Sequence, residues 1–580
     1  MKRKNRDRHL FLKDNTQRKI GVCPYFSIES YITTLLLESA EKLKTVFDFK
    51  TLPDIVLETP KESSFGDIAS NIALQIGRQI RHPGKELAHL MADNMKTALK
   101  NPPYSAMIKS VEVGAPGFIN FFLKEEALFY VLDEIRRQGG RYGSGPRRRG
   151  ARVNIEFASA NPTGPLTIAH GRQAAYGDSL ANIMKFAGYR VAREYYINDE
   201  GRQIDMLGAS IRVRYLELLG DKAELPQDGY RGDYIIDIAK EIRKKYKSGK
   251  KEAALDFFRK YGYLSILKGI KKDLIDFGVI FDIWFSQAKL GRSGKIGKAI
   301  NLLKKKGLVY ENEGALWLKS TDYGDEKDRV IIKSDKSFTY FGPDIAYHID
   351  KYKRGYTRLI DIWGPDHHGY IPRMKAVVAG LGYDKESLSP LIVQLATLYR
   401  GKTPVPMSTR AGSFVTLREV MDEIGKDAAR YFFLRRKRDS HLDFDLELAK
   451  KHSLENPVYY IQYAHARISS VLKFEKTGVK RPKGVRPDFS LLVSPEEARM
   501  IRILRQFPLV LSSSAGECEP YWVLSYLEEL AKGFHSFYTK HRVVSEDARL
   551  TETRLVLVEC IKIVIANGLR LIGVTAPSSM

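Results

Sequence analysis

Between Val153 and Tyr196 a strand, a loop, a helix and a second strand follow one another, and no other segment restricts the fold as much. Val153, Ile155 and Phe157 alternate as in a strand, and the loop Asn161-Pro-Thr-Gly-Pro165 follows. A helix then carries Leu180, Ile183, Met184 and Ala187 on one face and stops at Gly188, before a second strand at Tyr189 to Tyr196. A strand–helix–strand unit of this kind implies a parallel sheet. Its ligand site then lies beyond the carboxyl ends of the strands.

The rest of the chain divides around this unit. Residues 1–25 are a basic arm. Residues 26–125 read as a small α+β domain with a helix-like stretch at Phe65 to Leu74. Val111 to Leu123 alternates about Gly114-Ala-Pro-Gly117 as a strand pair would. Gly139 to Gly150, rich in glycine and arginine, is a boundary. Residues 140–445 are then an α/β domain with a lysine-rich, helix-favouring insertion at about 205–320. Residues 446–580 carry few glycines and long helical patterns, an all-α bundle interrupted by the basic loop Lys473 to Pro487. No internal repeat is seen.

Composition narrows the function classes. The 580 residues are 43% hydrophobic, which suits a globular chain, and 95 Lys+Arg against 69 Asp+Glu give a formal charge of +26. An excess of that size, spread along the chain, suits a polyanionic partner, because counterions released from it drive binding. Cys23, Cys518 and Cys560 are too few and too far apart for a disulfide scaffold or a local thiolate metal site, and suit a reducing cytoplasm. No stretch resembles a signal peptide. No apolar run reaches the ~20 residues of a membrane span.

Three constellations carry chemistry. The first runs from Glu156 through Asn161, Gly164 and Thr167 to His170, Gly171 and Arg172 at the strand-to-helix turn. Helix N-terminal amides there suit a triphosphate, Gly164 and Gly171 allow close backbone approach, and His170 can donate to a phosphoryl oxygen. A tight turn with a surface histidine is the plainer reading of these residues alone. The loop has neither a Walker lysine nor Gly-x-Gly-x-x-Gly, so P-loop hydrolases and dinucleotide dehydrogenases gain no support. The second constellation is Pro406-Met-Ser-Thr-Arg410, followed by a capping box of Thr416 and Glu419. Ser408 and Arg410 can close over phosphates, although many surface loops look alike. The third is Phe338-Thr-Tyr340-Phe-Gly-Pro-Asp344 to His348, with Trp363-Gly-Pro-Asp366-His367-His368. A carboxylate beside an aromatic ring, Asp344 near Tyr340, suits a guanidinium, with Glu156 as a second carboxylate. The pair His367-His368 is a poor metal site, because neighbours in a strand face opposite ways.

Together these blocks resemble the arginyl-tRNA synthetases of bacterial type, which are class I enzymes. Glu194-Tyr-Tyr-Ile-Asn-Asp199, Gly324 to Val330, Asp422 to Leu446, Asn456 to Arg467, Phe534 to Tyr538 and Asn567 to Pro577 extend the resemblance over nearly the whole chain. It implies a Rossmann-like parallel-sheet catalytic domain, an N-terminal α+β domain that contacts tRNA, and a C-terminal helical anticodon-binding bundle. It further implies that Glu156, Asn161, Tyr340 and Asp344 hold L-arginine, assisted by His367. Gly164, His170, Gly171, Asp366 and Met407 would hold ATP. Thr167, His170, Ser408, Thr409 and Arg410 would serve catalysis. Asn71, Phe118, Asn120 and Tyr538 would contact tRNA. ATP enters with Mg2+ as substrate, with no tightly bound cofactor and no zinc. A cytoplasmic monomer without membrane contact is expected.

The signatures depart from the family pattern. The class I His-x-Gly-His has Thr167 in place of its first histidine and Ala169 in place of its glycine. Lys-Met-Ser-Lys has Pro406 and Thr409 at its lysines, and Gly164 occupies the position where some arginyl enzymes place a substitute cation. Loss of one such group typically lowers a rate by ~10² to 10³. One reading is an active synthetase that uses Arg410, Lys402 or Arg418 as the cation. The other is a catalytically degenerate relative that binds tRNA. The intact pair Tyr340 and Asp344 favours the enzyme, and a synthetase for another amino acid would need a different pocket.

Overall fold

The computed structural model describes residues 28–49, 51–53, 55–60, 62–148, 150–401, 403–405, 415–473 and 484–580. The basic arm, Cys23, Lys402, the loop residues Pro406, Met407, Ser408, Thr409 and Arg410, and most of the basic loop after Lys473 lie outside the described residues. By its contacts the chain forms two compact units. One comprises Met1–Tyr142, Thr477–Leu509 and Gly533–Ile563, and the other Gly143–Lys476, Val510–Lys532 and Val564–Met580.

In the first unit β1 (Leu57–Glu58), β2 (Ile68–Ser70), β3 (Ile108–Gly114) and β4 (Phe118–Leu123) form an antiparallel sheet in the order β1-β2-β4-β3. The expected strand pair is β3–β4, with Val111 opposite Phe121 and Val113 opposite Ile119. The expected helix at Phe65 to Leu74 starts later, at Ile72. Ile68–Ser70 instead pairs with β4, where Ile68 and Ser70 are fully buried, so sheet pairing overrides the helical pattern. The helices Ile28–Leu43 and Gly84–Leu99 pack together, Ser39 donating to the Met91 carbonyl at 2.9 Å. Arg505, from the C-terminal part of the chain, pairs with Glu29 at 3.2 Å.

The second unit is built on five parallel strands, β5 (Arg152–Glu156), β6 (Arg190–Ile197), β7 (Ile283–Ser286), β11 (Arg358–Trp363) and β12 (Leu388–Ile392), in the order β12-β11-β5-β6-β7. The expected strand–helix–strand unit is β5, the helix Ile168–Phe186 and β6. Its helix stops where expected, because Gly188 has φ +91°, a region that a Cβ disfavours. Gly177 lets the helix lie on Phe157, since a Cβ there would come within 2.2 Å of the ring. Three helices, Arg202–Leu218, Asp233–Tyr246 and Leu255–Asp276, fill most of the expected insertion before β7 joins the sheet edge. An antiparallel sheet of β8 (Val309–Asn312), β9 (Ala315–Leu318) and β10 (Arg329–Ile332) follows, and β13 (Ala396–Arg400) pairs with β14 (Thr403–Pro404) and β15 (Leu442–Asp445). From Pro457 onward every regular element among the described residues is helical. The fold is multidomain α/β with a Rossmann-like parallel sheet, an N-terminal α+β part and C-terminal helices.

Candidate active site

β5 is the strand at which the chain reverses its order of travel across the sheet, with β6 on one side and β11 on the other. Ligands of such sheets sit beyond the carboxyl ends at this point. Glu156 ends β5. In register it lies opposite Glu194 of β6 and Asp361 of β11, so three acids form one row across three strands. Like charges set side by side repel, and buried ones need partners.

The partners come from the helix Phe341–Lys353 and the residue after it. Asp344, Tyr347, His348 and Lys351 recur at helical spacing, so they share one face. Lys351, fully buried, donates to Glu156 Oε2 and Asp361 Oδ1, both at 2.7 Å. Its ammonium lies 4.3 Å from the centre of the Tyr347 ring. His348 donates from Nε2 to Asp361 at 2.8 Å and from Nδ1 to the Asp344 carbonyl at 2.7 Å. Both ring nitrogens therefore carry protons, and the Asp361 carboxylate holds the imidazole above its usual value against the effect of burial. Burial likewise disfavours charge on Lys351 and Asp361, and the pairing overrides it: Lys351 is raised and Asp361 lowered. Glu194 takes two hydrogen bonds from Arg354 at 2.8 Å, one from Tyr347 at 2.9 Å and one from Asn154 at 2.6 Å.

Asp344 differs from these acids. Its carboxylate accepts from the Tyr370 hydroxyl at 2.5 Å, and no ion pair reaches it among the described residues. Burial pushes its carboxyl up to about 6, aided by Glu156 and opposed by Tyr370 and His348.

At the other rim, Thr167 and His170 form a capping box at the start of the helix Ile168–Phe186. The Thr167 N–H donates to His170 Nδ1 at 3.2 Å. Burial lowers the imidazole to about 4, so the ring is neutral at pH 7, with its remaining proton on Nε2. That leaves a donor at a helix N-terminus, suited to an anion. Thr167 also pairs with Thr416, and Leu417 N–H donates to the Leu166 carbonyl at 2.8 Å. The chain just beyond residues 406–414 is thus tied to the first signature turn. Arg418 is engaged elsewhere, bonded to Asp273 at 2.7 Å and Asp276 at 2.5 Å.

Three family models match in order along the chain: the arginyl tRNA synthetase N-terminal domain at 31–123, the class I tRNA synthetase (R) catalytic domain at 132–451 and the DALR anticodon binding domain at 461–580. An arginine–tRNA ligase of Geobacter sp. (strain M21) is 48% identical over 539 residues, covering 91% of this chain and 95% of that protein. The chain belongs to the arginyl-tRNA synthetase family. The arginine–tRNA ligase of Syntrophotalea carbinolica is 47% identical over 550 residues, covering 93% of this chain and 98% of that one. Among solved structures, a putative arginyl-tRNA synthetase from Campylobacter jejuni superposes with a TM-score of 0.72 at 36% identity, covering 78% of this chain and 99% of that one. The Thermus thermophilus arginyl-tRNA synthetase shares the fold, with a TM-score of 0.75 at 21% identity over 95% of this chain and 100% of that one.

Within this arginyl-tRNA synthetase fold, the structure brings Glu156, Asp344 and their partners together. Tyr340 instead stands at the N-terminal cap position of the helix and is 82% exposed, and the aromatic groups near Asp344 are Tyr370 and Tyr347's neighbour Tyr196. Asn161 is exposed and donates to Gln203 at 2.8 Å. Asp366 and His367 are exposed in a 3-10 turn, Pro365–Tyr370, and not in the strand that the sequence suggests for the two histidines. Pro365, which lacks an N–H, suits the first turn of a helix and not a ladder. Gly164 faces the Tyr234 hydroxyl, and Gly171 lies against Leu417 and Phe433. In the N-terminal unit, Asn71 precedes the helix Ile72–Ile80, Phe118 is half-buried, and Asn120 is 6% exposed within β4. Tyr538 is half-buried beside Phe534, their ring centres 5.6 Å apart. Lys351, Asp361, Tyr347, Tyr370 and Glu194 received no role from sequence. The polar stripe Asp344-Tyr347-His348-Lys351, and a charge inside the apolar strand Leu359–Ile362, were the available signals.

Proposed function

We propose that the chain activates L-arginine with ATP, forming arginyl-adenylate, and transfers the arginyl group to the 3′ end of its tRNA. The observation that carries this reading is Asp344, a recessed carboxylate that no ion pair reaches among the described residues, set beside Glu156 at the reversal point of the sheet. Asp344 would pair with the guanidinium, because a planar cation with paired donors matches a carboxylate. Asn161, Tyr340 and His367 would line the approach. His170, through its Nε2 proton, and the helix N-terminus behind it would face the phosphates, and Gly164, Gly171, Asp366 and Met407 would also hold ATP. The reaction is in-line attack by the arginine carboxylate on the α-phosphorus of ATP, so positioning and charge stabilisation carry the catalysis.

ATP would enter with Mg2+ as substrate, and the working form would be a cytoplasmic monomer. Asn71, Phe118, Asn120 and Tyr538 would contact tRNA. With Arg418 bonded to Asp273 and Asp276, the cation that replaces the signature lysines would be Arg410 or Lys402, with Ser408 and Thr409 beside it. No observation favours a binding-only relative.

Transfer of labelled arginine to tRNA by the purified protein, with ATP and Mg2+, tests this. Charging is the expected result. Retained tRNA binding without charging would replace the enzyme with the degenerate reading.

A further inference from the structure

The buried groups behind Glu156 and Asp344 form one continuous chain of hydrogen bonds. Glu156 Oε1 accepts from Ser159 Oγ at 3.1 Å, and Oε2 accepts from Lys351 at 2.7 Å. Lys351 also donates to Asp361, whose other oxygen accepts from His348, and His348 in turn donates to the backbone carbonyl of Asp344. The two acids at the mouth of the crevice, one on β5 and one on the helix Phe341–Lys353, are thereby joined through three fully or nearly fully buried residues.

Lys351 and His348 are positive, and Asp361 and Glu156 negative, so the four cancel. Asp344 is left over, bonded to the neutral Tyr370 hydroxyl. A crevice with one uncompensated negative charge fits one guanidinium. Without Lys351 it would hold two carboxylates, Glu156 and Asp344, which repel each other and compete for a proton. Glu156 would also lose one of its two donors and be free to turn.

We propose that Lys351 is a positioning residue for arginine: from behind the pocket it orients and neutralises Glu156, so that Asp344 alone supplies the charge the guanidinium balances. This rests on the reading of the crevice as an arginine site. Lys351 touches no substrate. Its effect falls on arginine binding and not on ATP, because the chain of bonds ends at the Glu156 carboxylate and the Asp344 backbone carbonyl and does not extend to His170.

The test compares wild type, Lys351→Met and the double variant Lys351→Met/Asp361→Asn. Each is measured by steady-state charging, by calorimetric titration with arginine in the presence of tRNA, and by thermal unfolding. The expected result for Lys351→Met is an arginine KM and Kd raised roughly tenfold or more, with the ATP KM changed by less than about twofold. The double variant removes the buried Asp361 charge that Lys351 leaves behind, so it should unfold closer to wild type and yet keep the weak arginine binding. It also carries the test if the single variant does not fold. A purely structural role would lower kcat or the active fraction and leave the arginine KM alone. That outcome, or an arginine KM restored in the double variant, overturns the proposal. If wild type binds arginine without charging tRNA, the proposed activity fails and the Kd comparison still decides the role of Lys351. If wild type does not bind arginine, this inference falls.

Discussion

Asp344 and Asp361 are bridged by His348 and behave in opposite ways. Asp361 lies between Lys351 and His348 and is held low, whereas Asp344 has the Tyr370 hydroxyl and is pushed up to about 6. The consequence for function has a definite sign. A guanidinium needs the ionised carboxylate, so arginine affinity should be level above about pH 7 and fall as pH drops through about 6, as read by calorimetry at a series of pH values. The consequence for stability runs the other way. A folded-state value above the ordinary one means that the neutral form favours folding, a contribution complete below the ordinary carboxylate range and lost as pH rises past about 6. Asp344→Ala should therefore abolish arginine binding, spare ATP binding and leave the protein no less stable at pH 8. Wild-type arginine affinity in that variant would end the assignment. The motif made Asp344 and Glu156 visible in the sequence. Lys351 was not visible as a functional group, because a lysine one turn after a tyrosine on a helix usually points to solvent.

At the scale of elements, the helix Ile168–Phe186 shows how local pattern and packing divide the work. Its apolar face and its stop at Gly188 are legible in the residues. Its closeness to β5 is not, since that depends on Gly177 meeting the Phe157 ring. Phe157 is fully buried, its ring tilted against that of Phe281 with centres 4.5 Å apart, so it has little room to yield. Gly177→Ala gains about 1 kcal/mol of helix preference but forces an overpacked contact worth roughly 1–3 kcal/mol. The expected outcome is a lower unfolding temperature of the whole protein together with a displaced signature turn and reduced charging. An unchanged thermal scan would show that Phe157 can move. The β2 segment teaches the reverse lesson. Ile68–Ser70 sits inside a helix-like pattern, and pairing with β4 decides its conformation.

For the whole molecule, the net charge of +26 is the property that acts at a distance. If tRNA is the partner, binding releases counterions, and its affinity should fall by about tenfold or more between ~50 and ~200 mM salt. Filter binding with a tRNA transcript at several salt concentrations measures the slope. A flat profile would mean that the basic excess does not face the nucleic acid. The order of three matched regions along the chain agrees with the sequence reading of an N-terminal α+β part, an α/β centre and a helical C-terminal part. The contact-defined units cut across the C-terminal helices, because helices of this length carry residues that pack in each unit. Periodicity along a single helix carries no information about such a division.

The sequence alone determined the parallel α/β centre, the helical C-terminal region, the family and the two carboxylates of the crevice, because each depends on residues close together in the chain or on a contiguous motif. Only the tertiary structure decided which partners those carboxylates have. The row Glu194-Glu156-Asp361 exists because strands far apart in sequence lie side by side in register. Lys351 reaches Glu156 across 195 residues of chain, and its ammonium is buried only because that row of acids waits for it. Likewise Arg418, a free cation to the eye in sequence, is bound to Asp273 and Asp276 from another helix. Charge patterns in a sequence list the ions. Burial and register decide which of them cancel and which remain uncompensated.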